Sequence, residues 1–248
     1  MSPDARKHRG AHPEDRRLFA QDKIPILGEA TADLSWLFTR GYAAPSAVKL
    51  VGDHHSLTDR QRLAVARAAC SDQQREKRDS TCLSVDKIQG QTIAIDGFNL
   101  IITIEAALSG GLLLISRDGC IRDLSSVHGS YRSVAETESA VRIIGQTLES
   151  FAPRSVTWFL DKPVSNSGRL AGFIQDLAGW RGWPWEVKLV MNPDAALSSS
   201  NDISMTSDSV ILDQAIRWVN FVSHLLETDL QSAWVVNLSD SPGWGRER

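Results

Sequence analysis

The stretch Thr92-Ile93-Ala94-Ile95-Asp96-Gly97-Phe98-Asn99 sets the reading of this chain. Four β-favouring or small apolar residues run without a polar break, as a strand buried on both faces does. The run stops at an aspartate. Residues 99–108 then follow a helical spacing. A buried strand that turns directly into a helix is the first half of a βαβ unit.

The same pattern recurs downstream. Val156 to Leu160 predicts a strand and ends in Asp161; Ser167 to Ala178 predicts the helix after it. Glu186 to Val190 predicts a strand, followed by Asn192-Pro193-Asp194. Ile203 to Thr206 predicts a short strand that runs into Ser207-Asp208, and Val210 to Leu226 predicts a long helix. Ala135 to Phe151 predicts a helix, and Ala233 to Leu238 a last strand. Between the first pair, Leu112 to Ile115 and Cys120 to Leu124 flank Asp118-Gly119, the dipeptide of a tight hairpin turn. Strand alternating with helix over this length predicts a parallel α/β sheet with helices on both faces.

The segment before residue 91 reads differently. Residues 1–23 are polar and predict a flexible arm. Residues 24–70 predict a small all-helical domain: Leu27, Ala30, Leu34, Leu37 and Phe38 recur at helical steps, Pro45 opens a second helix, and Thr58-Asp59-Arg60-Gln61 fits a capping box. Residues 71–90 predict a linker with some helix in it, 91–240 the α/β domain, and 241–248 a tail. His54 and His55 are adjacent; on a regular element they are expected to point apart and not to share a metal.

Composition bounds the function. The chain has 248 residues, 42% hydrophobic and 23% charged, which is globular rather than disordered. No apolar run reaches the roughly 20 residues of a membrane span. Three scattered cysteines make neither a disulfide framework nor a zinc cage. A soluble cytoplasmic protein is the expectation. The net charge of −3 is split between a mildly basic first 90 residues and an acidic remainder, which lacks the footprint of a basic nucleic-acid binder. No phosphate-binding Gly-rich loop and no nucleophile elbow is present.

Ligands of open α/β sheets bind beyond the carboxyl ends of the strands. Asp96, Asp161 and Asp208 all stand there. Carboxylates gathered on one edge repel unless cations balance them, and hard oxygen donors suit Mg²⁺ or Mn²⁺. These three are therefore the expected metal ligands. Ser165, Asn166 and Arg169, at the start of the helix after Asp161, together with Arg132, are the expected phosphate contacts. Asp118 is expected to serve the hairpin turn, Asp213 to sit on a solvated helix face, and His128 to lie in a surface loop.

The order of these motifs resembles PIN-like nuclease domains of the NYN type. Such domains open with an apolar strand ending in Asp-x-x-Asn, as Asp96-Gly97-Phe98-Asn99 does, and carry a later Thr/Ser-x-Asp, as Thr206-Ser207-Asp208 does. The resemblance covers about residues 91–240. The whole chain also resembles a prokaryotic family that joins a small helical domain to such a core. It implies a three-layer parallel-sheet fold and a Mg²⁺- or Mn²⁺-dependent ribonuclease, with Asp96, Asp161 and Asp208 as ligands and Asn99 in support. The alternative is a catalytically silent PIN-like module binding RNA or a protein partner; a small-molecule phosphate binder is a weaker third. Arg60, Arg62 and Arg67 on the capped helix are expected to help hold the nucleic acid.

Overall fold

A computed structural model describes residues 8–125 and 131–239. His128 and the proposed 241–248 tail lie outside the described residues.

The N-terminal region holds five helices: α1 (Asp15–Leu18), α2 (Ile24–Thr39), α3 (Ala44–His54), α4 (Asp59–Ala68) and α5 (Asp72–Thr81). Prolines occupy the first turns of α2 and α3, where a missing N–H costs nothing. The capping box at Thr58 is formed, with the Gln61 side chain answering the Thr58 backbone. A second, not foreseen, starts α5 at Ser71 and Gln74.

Two parts of this region depart from expectation. Residues 8–23 are not a loose arm. Asp15 is fully buried and Leu18 and Phe19 join the core. Arg60 grips Asp15 with two N–H···O bonds of 2.9 and 2.8 Å. Residues 71–90 are not a plain linker either. After α5 comes β1 (Cys82–Leu83), which pairs in parallel with β8 (Trp218–Val219) and forms one edge of the main sheet.

The remaining elements are β2 (Thr92–Asp96), α6 (Gly97–Leu108), β3 (Leu112–Ile115), β4 (Ile121–Asp123), α7 (Thr137–Phe151), β5 (Ser155–Asp161), α8 (Ser167–Arg181), β6 (Trp185–Val190), α9 (Pro193–Ser198), β7 (Ile203–Met205), α10 (Ser209–Leu212), α11 (Phe221–Thr228) and β9 (Trp234–Asn237). The main sheet has six strands in the order β1-β8-β7-β2-β5-β6, every pairing parallel. Successive side chains of a strand face opposite sides. Ile93 and Ile95 of β2, with Val156, Trp158 and Leu160 of β5, face the large core built with α6, α7, α8 and α11. Ala94 and Phe159 face the other way, against Leu197 and Ile211 of α9 and α10. Helices thus cover both faces, and the α/β reading holds.

The expected long helix from Val210 to Leu226 does not form. α10 ends at Leu212, and Trp218 enters the sheet opposite Ser204. The apolar steps Ile211, Ala215, Trp218 and Val222 fit a helix as spacing alone. The indole N–H of Trp218, however, donates 2.9 Å to the Arg78 carbonyl, and burying that ring fixes the strand.

A second sheet, β4-β3-β9, holds the expected hairpin, with Gly119 at φ 74° in its turn. The last strand, β9, joins here rather than the main sheet, parallel to β3. Leu113 and Ile121 face the large core, while Leu112, Leu114, Leu124 and Val236 face the N-terminal helices. The helices and the α/β part therefore share a core across this small sheet.

Candidate functional site

Four neighbouring strands of the main sheet, β7, β2, β5 and β6, deliver one aspartate each to a cleft of about 480 Å³ at their carboxyl edge. Asp96 closes β2 and Asp161 closes β5. Asp208 follows β7 and Asp194 opens α9 after β6. All four line the cleft, along with Asn99, Arg67, Arg122 and Asp123. Parallel strands in register leave no alternative: residues just past their ends must share an edge.

Asp96 is the deepest, at 8% exposure. It caps α6, accepting the Asn99 backbone N–H on Oδ1, and its Oδ2 accepts the Thr206 hydroxyl at 2.8 Å. Gly97 follows because a side chain there would meet Leu160 and the Phe159 carbonyl. Burial pushes the Asp96 carboxyl up to about 7, despite the Thr206 bond, and the charges of Asp208 and Asp194 push the same way. Burial and then Asp194 raise Asp161; burial and then Asp208 raise Asp194. Burial is the larger cause in all three, and the neighbouring carboxylates add to it.

Asn99 reaches back from α6. Its Oδ1 accepts the Ser207 N–H at 2.8 Å and the Ser207 hydroxyl at 3.0 Å, which pins the turn after β7 to the end of β2. Asp208 spends one oxygen on capping α10, through the Val210 N–H at 2.7 Å. The other oxygen remains for a ligand.

No three of the four cleft carboxylates bring donor atoms within 4.8 Å of one another. Among the described residues, the group that does so is Asp33, His54 and His55. The cleft is open as it stands.

The expected phosphate contacts are not among the residues lining the cleft. The Asn166 amide donates 2.8 Å to the Tyr131 carbonyl, and the Ser165 carbonyl accepts the Tyr131 N–H at 3.3 Å. These residues tie the 131 loop to the start of α8. The Arg132 carbonyl accepts from Arg9, and Arg169 is exposed. Asn166 has φ 67°, so the turn before α8 is left-handed. Of the three arginines on α4, Arg67 alone borders the cleft, donating to the Asp123 carbonyl at 2.5 Å and the Ser125 carbonyl at 3.0 Å. Arg60 is held by Asp15, and Arg62 bonds Asp53 and the Leu57 carbonyl.

Asp118 does more than serve its turn. It is buried between Arg78, at 2.6 Å, and Arg122, which grips it with two bonds of 2.7 Å. The paired guanidiniums hold its carboxyl far below the usual range despite burial. Arg122 also donates 2.9 Å to the Ser207 carbonyl, and Arg78 bonds Asp213 at 2.8 Å. Asp213 is therefore an ion-pair partner, not a solvated helix face. This buried trio braces the segment that carries Asp208.

Residues 85–224 match the model of a domain of unknown function, DUF5616. The chain belongs to the DUF5616 family. All four cleft aspartates fall within the matched residues. Residues 26–80 match a second model, described as a protein of unknown function, DUF434. An uncharacterised protein of Methanocaldococcus jannaschii, MJ0935, is 31% identical over 186 residues, covering 75% of this chain and 88% of its own. No solved structure matches. No helix among the described residues is long and apolar enough to cross a membrane.

Proposed function

We propose that this chain is a Mg²⁺- or Mn²⁺-dependent phosphodiesterase of the PIN-like, NYN type, acting on RNA. The observation that carries this reading is the delivery of Asp96, Asp161, Asp194 and Asp208 by four adjacent strands to one cleft. The donor set fits the metal: of five lining carboxylates, Asp123 is held by the Thr103 hydroxyl and the Ser125 N–H, and the other four offer hard oxygens, with no thiol or imidazole among the lining residues. The raised carboxyls of Asp96, Asp161 and Asp194 are what a cation would relieve. A bound divalent ion in such a site activates a water and offsets phosphate charge.

The chain's own groups prepare that chemistry. Thr206 and the Asn99 backbone hold Asp96 in one rotamer. Asn99 commits its carbonyl oxygen to Ser207, leaving its amide nitrogen to serve a ligand. Arg67 and Arg122 line the cleft; Arg122 is bound to Asp118, while Arg67 bonds only backbone carbonyls and keeps its charge for a phosphate.

Cleavage of a mixed RNA pool in Mn²⁺ tests the reading. The parent is expected to cleave and to lose activity in a chelator. Asp96→Asn and Asp194→Asn are each expected to lower the rate at least 10²-fold, the scale on which lost transition-state charge stabilisation is felt. The openness of the cleft favours one second reading, a silent module that binds RNA or a protein. Mn²⁺-independent RNA binding without cleavage would select it.

A further inference from the structure

We propose that Asp33, His54 and His55 form a second metal site, on the N-terminal helices, for a transition-metal ion of the zinc class. One donor atom from each of the three lies within 4.8 Å of the others. The adjacent histidines converge because α3 ends between them. His54 is its last residue, and His55 caps it at φ −88°, ψ 5°. Ser56 then turns left-handed at φ 51°. The two rings meet edge to face, 4.8 Å between centroids. His55 Nε2 lies 2.8 Å from Oδ2 of Asp33, on the neighbouring helix α2.

A plain ion pair accounts for His55 and Asp33. The His55 side chain is 9% exposed and Asp33 56%, so that pair fastens α3 to α2 at the rim of their interface. It does not account for the exposed His54 standing beside them. A metal uses all three. Tetrahedral zinc, with bonds of about 2.0–2.2 Å, holds its ligand atoms roughly 3.3 Å apart. Exposed His54 and Asp33 reach that spacing by small rotamer changes, with the ion taking the place of the proton between His55 and Asp33.

The donor chemistry selects the ion. Two imidazoles and one carboxylate suit Zn²⁺, Co²⁺, Ni²⁺ or Cu²⁺, whereas Mg²⁺ and Mn²⁺ favour the all-oxygen cleft. Three protein ligands leave a fourth position for water or an exchangeable ligand. The site adjoins an apolar groove of about 430 Å³ lined by Trp36 and Leu50, both exposed.

Calorimetric titration of the full chain with Zn²⁺, in excess Mg²⁺, tests this. Micromolar or tighter binding is expected. His54→Ala and Asp33→Asn should each weaken it at least tenfold, and Asp96→Asn should leave it unchanged. Both variants alter exposed side chains, and circular dichroism checks their fold. Cu²⁺ should also quench tryptophan fluorescence by an amount that falls in Trp36→Phe. Unchanged Zn²⁺ affinity in His54→Ala overturns the site, as does an affinity lost in Asp96→Asn instead, which would place the ion in the cleft.

Discussion

The Thr206 hydroxyl donates to Oδ2 of Asp96 at 2.8 Å, joining two residues 110 positions apart at the carboxyl ends of adjacent strands. The bond satisfies one oxygen of a carboxylate that burial has nevertheless raised to about 7. Desolvation and hydrogen bonding thus compete at one group, and desolvation prevails, with the charge of Asp208 as a smaller addition.

Asp96 should therefore make stability fall with rising pH. Its folded value, about 7, lies above its ordinary 3.8. Below pH 3.8 it is protonated whether folded or not and contributes no difference. Between pH 4 and 7 the unfolded chain ionises first, and the folded state loses up to about 4 kcal/mol relative to it. Above pH 7 the penalty is constant. Asp96→Asn removes it while keeping the side-chain shape. Thermal melts in metal-free buffer should show the variant several degrees above the parent at pH 8, and no higher than the parent at pH 4. The same offset at both values would mean that the carboxyl is not strained.

Asp118 predicts the opposite response to substitution. Removing its charge leaves Arg122, at 8% side-chain exposure, without a counter-ion, and leaves Arg78, at 1%, with Asp213 alone. Asp118→Asn should cost about 3–5 kcal/mol. Urea unfolding, followed by tryptophan fluorescence, should show the midpoint falling with an unchanged slope. A loss under about 1 kcal/mol would mean that water already reaches the trio.

These two aspartates mark how far the sequence could be read. The placement of Asp96 was legible because it depends on local facts: an apolar run, its end and the parallel topology that alternation implies. Asp161 and Asp208 followed by the same logic. Asp194 did not stand out, because it lies four residues beyond its strand, and only the short helix α9 brings it back to the cleft. Asp118 was legible as a turn residue and illegible as an ion-pair hub, since Arg78 is 40 positions away. The buried Asp15 was hidden for the same reason, its partner Arg60 lying 45 positions on. Helical spacing ran on past Leu212 only because it ignores the carbonyl that the Trp218 indole needs. The start of α8 is rich in donors, but the Asn166 amide serves the Tyr131 carbonyl, 35 positions earlier, a partner that local sequence does not reveal.

The arginines of α4 give the last prediction, and it rests on their different engagements. Arg60 and Arg62 each spend their donors on an aspartate and a backbone carbonyl. Arg60→Gln takes the counter-ion from the fully buried Asp15, leaving it the His12 N–H, and should cost about 2 kcal/mol or more. Its effect on RNA binding should be small where the variant is folded. Arg67 holds only carbonyl oxygens with its two terminal nitrogens and borders the cleft, so its charge is not cancelled by a close ion pair; Asp123 lies 4.0 Å away. A phosphate approaching the carboxylates would meet it at the rim. Arg67→Gln should therefore weaken filter binding of an RNA pool at low salt and lower the slope of log affinity against log salt by about 0.7, one contact's share for a single strand. An unchanged slope in Arg67→Gln, with a reduced one in Arg60→Gln, would move the nucleic-acid path off the cleft and onto the outer face of the N-terminal helices.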